Sequence, residues 1–426
     1  MNKISNNPLL QEWNTPFGTP PFDRFTIPLF KPAIEEAIRI ASAEIDSIAD
    51  NPEKPGFENV IAALDHAGDK LGDIASVLFN LNSAETSREM QAVAQEVSPL
   101  LARFSNDITL NNKLFLKVKS IYQSREGIGL NSEQMMLLEK NYRNFILGGA
   151  DLNEENKLRF REISEELSHL QIKFEENVLE DTNDFELHLT DRNDLSGLPD
   201  GIVEMAELEA KNRNKEGWVI TLHAPSYVPF MKYSSNRSLR ERLFKAYGSR
   251  AFHKDTHDNR ELAVRIANLR LEMANLLGFK NFAELALVDR MADSAEKAVT
   301  FLDELHSASK PAAIRDLEKV KQFAAESGFA GEPERWDWAY YSEKLQKSQF
   351  DIDDEVLKPF FVLENAERGI FDLAETLYGI KFIPNSDIPV YHPEVKTWEV
   401  MDTDGAFLAI LYIDYFPRPG KNGGAW

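Results

Sequence analysis

The sequence contains no cysteine, which excludes disulfides, thiolate metal sites and a cysteine nucleophile together. It also lacks any unbroken apolar run near the roughly 20 residues that cross a bilayer. Residues 1–30 carry a single lysine near the start and several prolines, without the apolar centre of a signal peptide. A cytoplasmic protein with no membrane partner is expected. A basic stripe is missing too: 70 acidic side chains against 48 basic ones give a net charge of -22, with the two signs interspersed. Such a surface repels phosphate backbones and argues against nucleic acid. There is no Gly-x-Ser-x-Gly elbow, no P-loop and no dinucleotide fingerprint, and Gly420-Lys421-Asn422-Gly423-Gly424 has the wrong spacing for either glycine-rich motif.

What remains is the profile of a large globular chain: 426 residues, 43% hydrophobic, 28% charged and 10% aromatic. From Pro32, the residues Ile34, Ala37, Ile38, Ala41, Ile45 and Ile48 recur at helical spacing until Asn51-Pro52. A second pattern runs from Phe57 to Leu78, and a third joins Phe160, Ile163, Leu167, Leu170 and Phe174. The period then changes to two over Asp184–Thr190, with a partner strand at Trp218–His223 across a turn-rich gap. Helix is expected again from Asn236 to Ala325. Strands are expected at Trp398–Asp402 and Ala406–Phe416, joined at Asp404-Gly405, a hairpin signal. The fold class read here is mainly α: a large helical body with a small β insertion and a C-terminal β-hairpin. Its regions are 1–180 (helical), 181–225 (β insertion), 226–330 (helical) and 331–426.

Metal chemistry finds little support. Of the eight histidines, His253 and His257 have the i, i+4 spacing of a helical ligand pair. Lys254, Asp255 and Thr256 stand between them, so a general-base glutamate is missing, and a solvated loop or helix end is the competing reading. His169, His188 and His223 are read as hydrogen-bonded structural residues. Asp402-Thr403-Asp404-Gly405 lacks the later ligands of a calcium loop, and Asp351, Asp353, Asp354 and Glu355 read as a solvated run.

A set of strings in one order runs along nearly the whole chain. They include Asn7-Pro8-Leu9-Leu10, Phe57-Glu58-Asn59-Val60, Phe174 to Leu179, Leu195 to Pro199, Pro225-Ser226-Tyr227, and Ala246-Tyr247 with Arg250. Trp336-Asp337-Trp338 with Tyr340-Tyr341, Tyr391 to Val395, and Tyr412 to Asp414 with Arg418, Lys421 and Gly423 to Trp426 complete them. Together they resemble the thimet oligopeptidase and oligopeptidase A family of zinc metallopeptidases, with the peptidyl-dipeptidase branch nearest. The resemblance implies a two-lobed, mostly helical body with a deep channel for short peptides, and one zinc ion on a His-Glu-x-x-His helix. That motif follows the Gly-Gly-Ala-Trp loop in the family and has no counterpart here. On this reading residues 331–426 begin the catalytic lobe, the chain ends before the zinc ligands, and its partner is a missing C-terminal catalytic half. Zinc belongs to the complete enzyme, none is expected in this chain, and no catalytic or metal-binding residue is carried over. Tyr412, Asp414, Arg418, Lys421, Gly423, Gly424, Ala425 and Trp426 are expected to line the substrate channel, or else to pack the lobes together. The expected function is the N-terminal portion of a peptidase that releases C-terminal dipeptides from short peptides, inactive by itself. A non-catalytic helical module that binds peptides or a partner is the alternative, and a hydrolase built on His253 and His257 is a third.

Overall fold

The computed structural model describes residues 6–351 and 354–423; Asp353, and the side chains of Asp354 and Glu355, lie outside that description. The fold is mainly α, with five short strands among the described residues. The first long helix, Phe30–Asp50, buries Phe30, Ala33, Ile34, Ala37, Ala41, Ile45 and Ile48 along one face, the stripe its apolar spacing demands. Asn51 then turns to ψ 120 ahead of Pro52, as the residue before a proline is pushed out of the helical region. The pattern at 57–78 is not one helix. A wide turn at Phe57–Ala62 leads into Ala63–His66, and Gly68, at φ 83, redirects the chain into the helix Asp69–Ala84. A positive φ suits glycine, and the apolar spacing carries no mark of the break.

Two core clusters result. Leu9, Phe30, Ile34, Leu71, Ile74, Leu78 and Val97 form one; Ile45, Val60, Ile61, Leu114, Phe115, Val118, Ile121 and Phe145 form the other. The helices Arg88–Thr109 and Glu154–Asp184 pack side by side. Their margin is tied by Arg103–Glu165 and by Arg161–Asp107.

Strand β1, Leu187–Leu189, pairs antiparallel with β2, Trp218–Ile220, in the register Leu187 to Ile220. The intervening segment, expected as turns, contains the helix Asp200–Asn212 instead. Ile202, Ala206 and Ala210 bury its inner face, a four-residue period masked by the flanking glycines and prolines. Gly217 opens β2 at φ 85, where an added Cβ would lie 2.3 Å from the Leu189 carbonyl oxygen. The next region is a succession of helices, Arg237–Gly248, Arg260–Leu276, Phe282–Leu287 and Ala295–Glu326.

The aromatic string at 336–345 lies in the helix Arg335–Phe350. Asp337, fully buried, receives Arg237 and Arg240 there, which satisfies a charge that would otherwise be costly. The C-terminal sheet has three strands, not the two of a hairpin. β3 (Lys381–Pro384), β4 (Lys396–Met401) and β5 (Phe407–Ile413) run antiparallel in sequence order. The extra strand is four residues long and ends in a proline, too short and mixed to announce itself by alternation. The turn between β4 and β5 closes at Gly405, with Asp402 N–H donating to the Ala406 carbonyl at 2.8 Å.

Candidate functional site

The chain leaves β5 at Ile413 and crosses, over residues 414–423, to the C-terminal end of the helix Asp69–Ala84. A helix end leaves carbonyls without intrahelical donors and carries partial negative charge. The loop supplies what is missing. Asn422 N–H donates to the Ser83 carbonyl at 2.8 Å, and Arg418 Nη2 to the Ala84 carbonyl at 2.7 Å. Arg418 Nε also pairs with Glu85, and Thr86 N–H donates to the Gly420 carbonyl at 2.7 Å. A Cβ on Gly420 would stand 2.7 Å from the Thr86 carbonyl oxygen, so this approach needs glycine. Pro417 and Pro419 restrict the loop backbone on either side of Arg418. The end of the helix Glu154–Asp184 holds it from another side, Asn183 Nδ2 donating to the Pro419 carbonyl at 2.9 Å.

Asp414 is the loop's charge centre. Arg418 approaches it with both terminal nitrogens at 2.9 and 2.8 Å, Lys421 Nζ lies at 3.0 Å, and the Tyr391 hydroxyl donates at 2.9 Å. Side chains 414, 418 and 421 are 10–11% exposed. Burial raises the Asp414 carboxyl, but hydrogen bonds from Arg418, Lys421 and Tyr391 outweigh it and hold the group at about 2. Tyr391 moves the other way: burial and its bond to the carboxylate push it up to about 12. Phe22 meets the rings of Tyr391 and Tyr412 edge-on at 5.4 and 6.0 Å, which fastens the N-terminal lead-in to the sheet.

Open space borders this loop. A groove of about 780 Å³ lies along Phe174, Val178, Thr182, Arg250, Asn422 and Gly423. A second, of about 710 Å³, is lined by Pro20, Phe22, Tyr391, Tyr412, Asp414 and Lys421, among others. A cavity of about 160 Å³ lies under Pro417, Arg418 and Pro419, facing Glu209, Arg213 and His223. His223 is held below the usual imidazole range by burial, with Arg213 and Arg250 adding to the effect against Glu209.

Of the expected wall residues, Tyr412, Asp414, Arg418 and Lys421 are brought together, and Gly423 borders the first groove. Gly424, Ala425 and Trp426 lie outside the described residues. Glu85, Asn183 and Tyr391 were not singled out as site residues. Glu85 stands 333 positions from Arg418, and no spacing rule reaches that far; Tyr391 was visible only as part of a family string.

The residues present do not fit a zinc ion. Among the described residues no group of three histidine, aspartate or glutamate side chains could hold a metal, and the sequence has no His-Glu-x-x-His string. His253 and His257 lie in a loop, not on a helix. Each faces its own carboxylate, Asp181 at 3.1 Å and Glu180 at 2.8 Å. His223 follows β2 and stands just before the helix Ala224–Tyr233 instead of sitting in the strand, its Nε2 3.1 Å from Asn183 Oδ1.

The model for peptidase family M3 matches residues 230–426. The whole chain is similar to dipeptidyl carboxypeptidase of Escherichia coli, 35% identical over 424 residues, covering 99% of this chain and 62% of that protein. Oligopeptidase A of Salmonella typhimurium is 32% identical with the same two coverages. A probable cytosolic oligopeptidase A of Arabidopsis thaliana is 33% identical over 434 residues, 99% of this chain and 61% of its own length. The chain thus spans somewhat under two thirds of these relatives.

Proposed function

The chain belongs to peptidase family M3, and from that premise we propose that residues 1–426 form a peptide-admitting wall of a zinc-dependent oligopeptidase. Its substrates are short, unstructured peptides, from which dipeptides are released at the carboxyl end, in a cytoplasmic setting. One observation carries the reading: the 407–423 strand and loop stand beside two open grooves, in a chain similar over 99% of its length to a dipeptidyl carboxypeptidase.

Each part of the wall has a physical task. β5 is an end strand of its sheet among the described residues, and its outer edge offers backbone donors and acceptors to an extended peptide. A folded protein has no free strand to lay there. The Asp414, Arg418 and Lys421 cluster fixes the loop against the helix end at 83–86, so the groove walls are held before a peptide arrives. Zinc, when bound in such an enzyme, polarises the scissile carbonyl and activates water. No residue of this chain is given a role in holding it, and residues 1–426 alone are expected to bind no stoichiometric zinc and to turn over no peptide.

The test is the zinc content of the purified 426-residue chain by plasma mass spectrometry, paired with binding of short fluorescent peptides. A zinc-free chain that still binds unfolded peptides, and ignores folded proteins, supports the wall. One tightly held zinc per chain, or no peptide binding at all, overturns it.

A further inference from the structure

The cavity of about 160 Å³ under Pro417 and Pro419 has an apolar wall and a polar strip. Side chains alternate faces along extended chain. Ile220 and Leu222 therefore enter the core, while Val219, Thr221 and His223 line the cavity. Thr221 is only 4% exposed, yet its hydroxyl has no protein partner among the described residues; its amide donates to Ser226 Oγ at 3.0 Å. Buried hydroxyls are normally hydrogen-bonded, so this one is an open position facing the cavity. His223 supplies a second. Asn183 Nδ2 donates to the Pro419 carbonyl, which leaves Asn183 Oδ1 as the acceptor and makes His223 Nε2 the donor. Burial, against the opposing pull of Glu209, keeps the imidazole neutral at pH 7. Its Nδ1 is then a bare acceptor, with no protein donor among the described residues. Ile202, Met205, Ala206 and Val219, with the two prolines, make the rest apolar. The charges at the margin are already matched, Arg213 with Glu209, and Arg418 with Asp414 and Glu85.

We propose that this cavity binds a small neutral phenol, its hydroxyl held between Thr221 and His223 and its ring against the apolar wall. The site is separate from the peptide grooves and does not depend on the peptidase reading. A dry cavity of about 150 Å³ accepts benzene, so the volume here suits one six-membered ring with a small substituent. The ring supplies the apolar contact, and its O–H donates to the imidazole while its oxygen accepts from threonine. A charged ligand would leave water without finding an unmatched opposite charge. Occupancy braces residues 417–419 from below, and through Arg418 and Gly420 the same loop reaches the helix end at Ala84. A tyrosine side chain carries the same ring and hydroxyl, but the ring alone takes up the volume, which assigns the site to a free phenol.

The full 426-residue chain is titrated with p-cresol, toluene and N-acetyltyrosinamide, and binding is read from the broadening of the ligand proton resonances. p-Cresol is expected to saturate a single site and to bind about 3- to 10-fold more tightly than toluene, the net worth of a hydrogen bond. N-acetyltyrosinamide should bind more weakly than p-cresol. Thr221→Val keeps the side-chain shape without the hydroxyl and should erase the preference for p-cresol over toluene, whereas Thr221→Ser should keep it. Ala206→Leu fills the cavity and should abolish p-cresol binding; if that variant does not fold, Thr221→Val decides the matter. With p-cresol bound, the Thr86 amide, which donates to the Gly420 carbonyl, should exchange several-fold more slowly. No saturable binding of p-cresol, or toluene bound as tightly, overturns the site. An unchanged preference in Thr221→Val, or full p-cresol binding by a folded Ala206→Leu, overturns it too. N-acetyltyrosinamide bound as tightly as p-cresol overturns the assignment to a free phenol, and unaltered exchange at Thr86 overturns the bracing of the loop.

Discussion

Asp414 shows how one residue can set the stability of a site. Its carboxylate is buried among Arg418, Lys421 and Tyr391, and removing it leaves Arg418 with Glu85 alone and Lys421 with no carboxylate among the described residues. Asp414→Ala is therefore expected to cost about 3–5 kcal/mol, the usual price of breaking a buried ionic cluster, measured by urea unfolding. The pH dependence has a definite sign. A carboxyl held at about 2 in the fold, against an ordinary value near 4, stabilises the protein at all pH above about 4. That contribution, about 2 kcal/mol, is lost as pH falls from about 4 towards 2. Tyr391, pushed up to about 12, favours folding while neutral, and its contribution fades as pH rises from about 10 through 12. In wild type the unfolding midpoint should stay level between these limits as far as this cluster is concerned. An Asp414→Ala variant whose midpoint falls as steeply as wild type below pH 4 would remove Asp414 from the account.

At the scale of elements, the decisive contact is between the 414–423 loop and the helix end at Ala84. Gly420 allows it, because one of its α-hydrogens faces the Thr86 carbonyl where a methyl group would collide at 2.7 Å. Gly420→Ala is expected to lift the loop from the helix, at a cost of about 1–3 kcal/mol. Hydrogen exchange at the Thr86 amide, now bonded to the Gly420 carbonyl, should accelerate, while amides in Phe30–Asp50 stay protected. Uniform loss of protection would place the glycine's role elsewhere. The sequence showed Arg418 and Lys421 beside two prolines and a glycine run, which reads as a constrained loop. It did not show the helix end that the loop caps, because the two are more than 300 residues apart.

Across the whole molecule, apolar side chains stay in water on particular faces. On the helix Leu363–Tyr378, Ile370 is 63% exposed and Leu377 62%, with Leu373 between them, and Phe360 and Phe361 are also open. Side chains at i, i+3 and i+7 share one helix face, and a contiguous apolar face of this kind binds dyes and promotes association. The chain is expected to bind a hydrophobic dye and to associate with rising concentration in light scattering. Ile370→Lys with Leu373→Glu should reduce both without lowering the melting temperature. Unchanged dye binding in the double variant would place the sticky surface elsewhere. Within the chain, local order decided what could be read from sequence. The helices of 30–50 and 154–184, β1, β2 and the β4–β5 hairpin announced themselves through periodicity, since burial of one face imposes its repeat on neighbouring residues. The family resemblance was equally legible, being a matter of strings in order. Only the tertiary structure decided that β3 completes a sheet, that His253 and His257 face separate carboxylates, and that Arg250 shares a groove with Gly423. Those facts depend on contacts between distant segments, and hydrogen bonding and charge pairing across such distances leave no period along the chain.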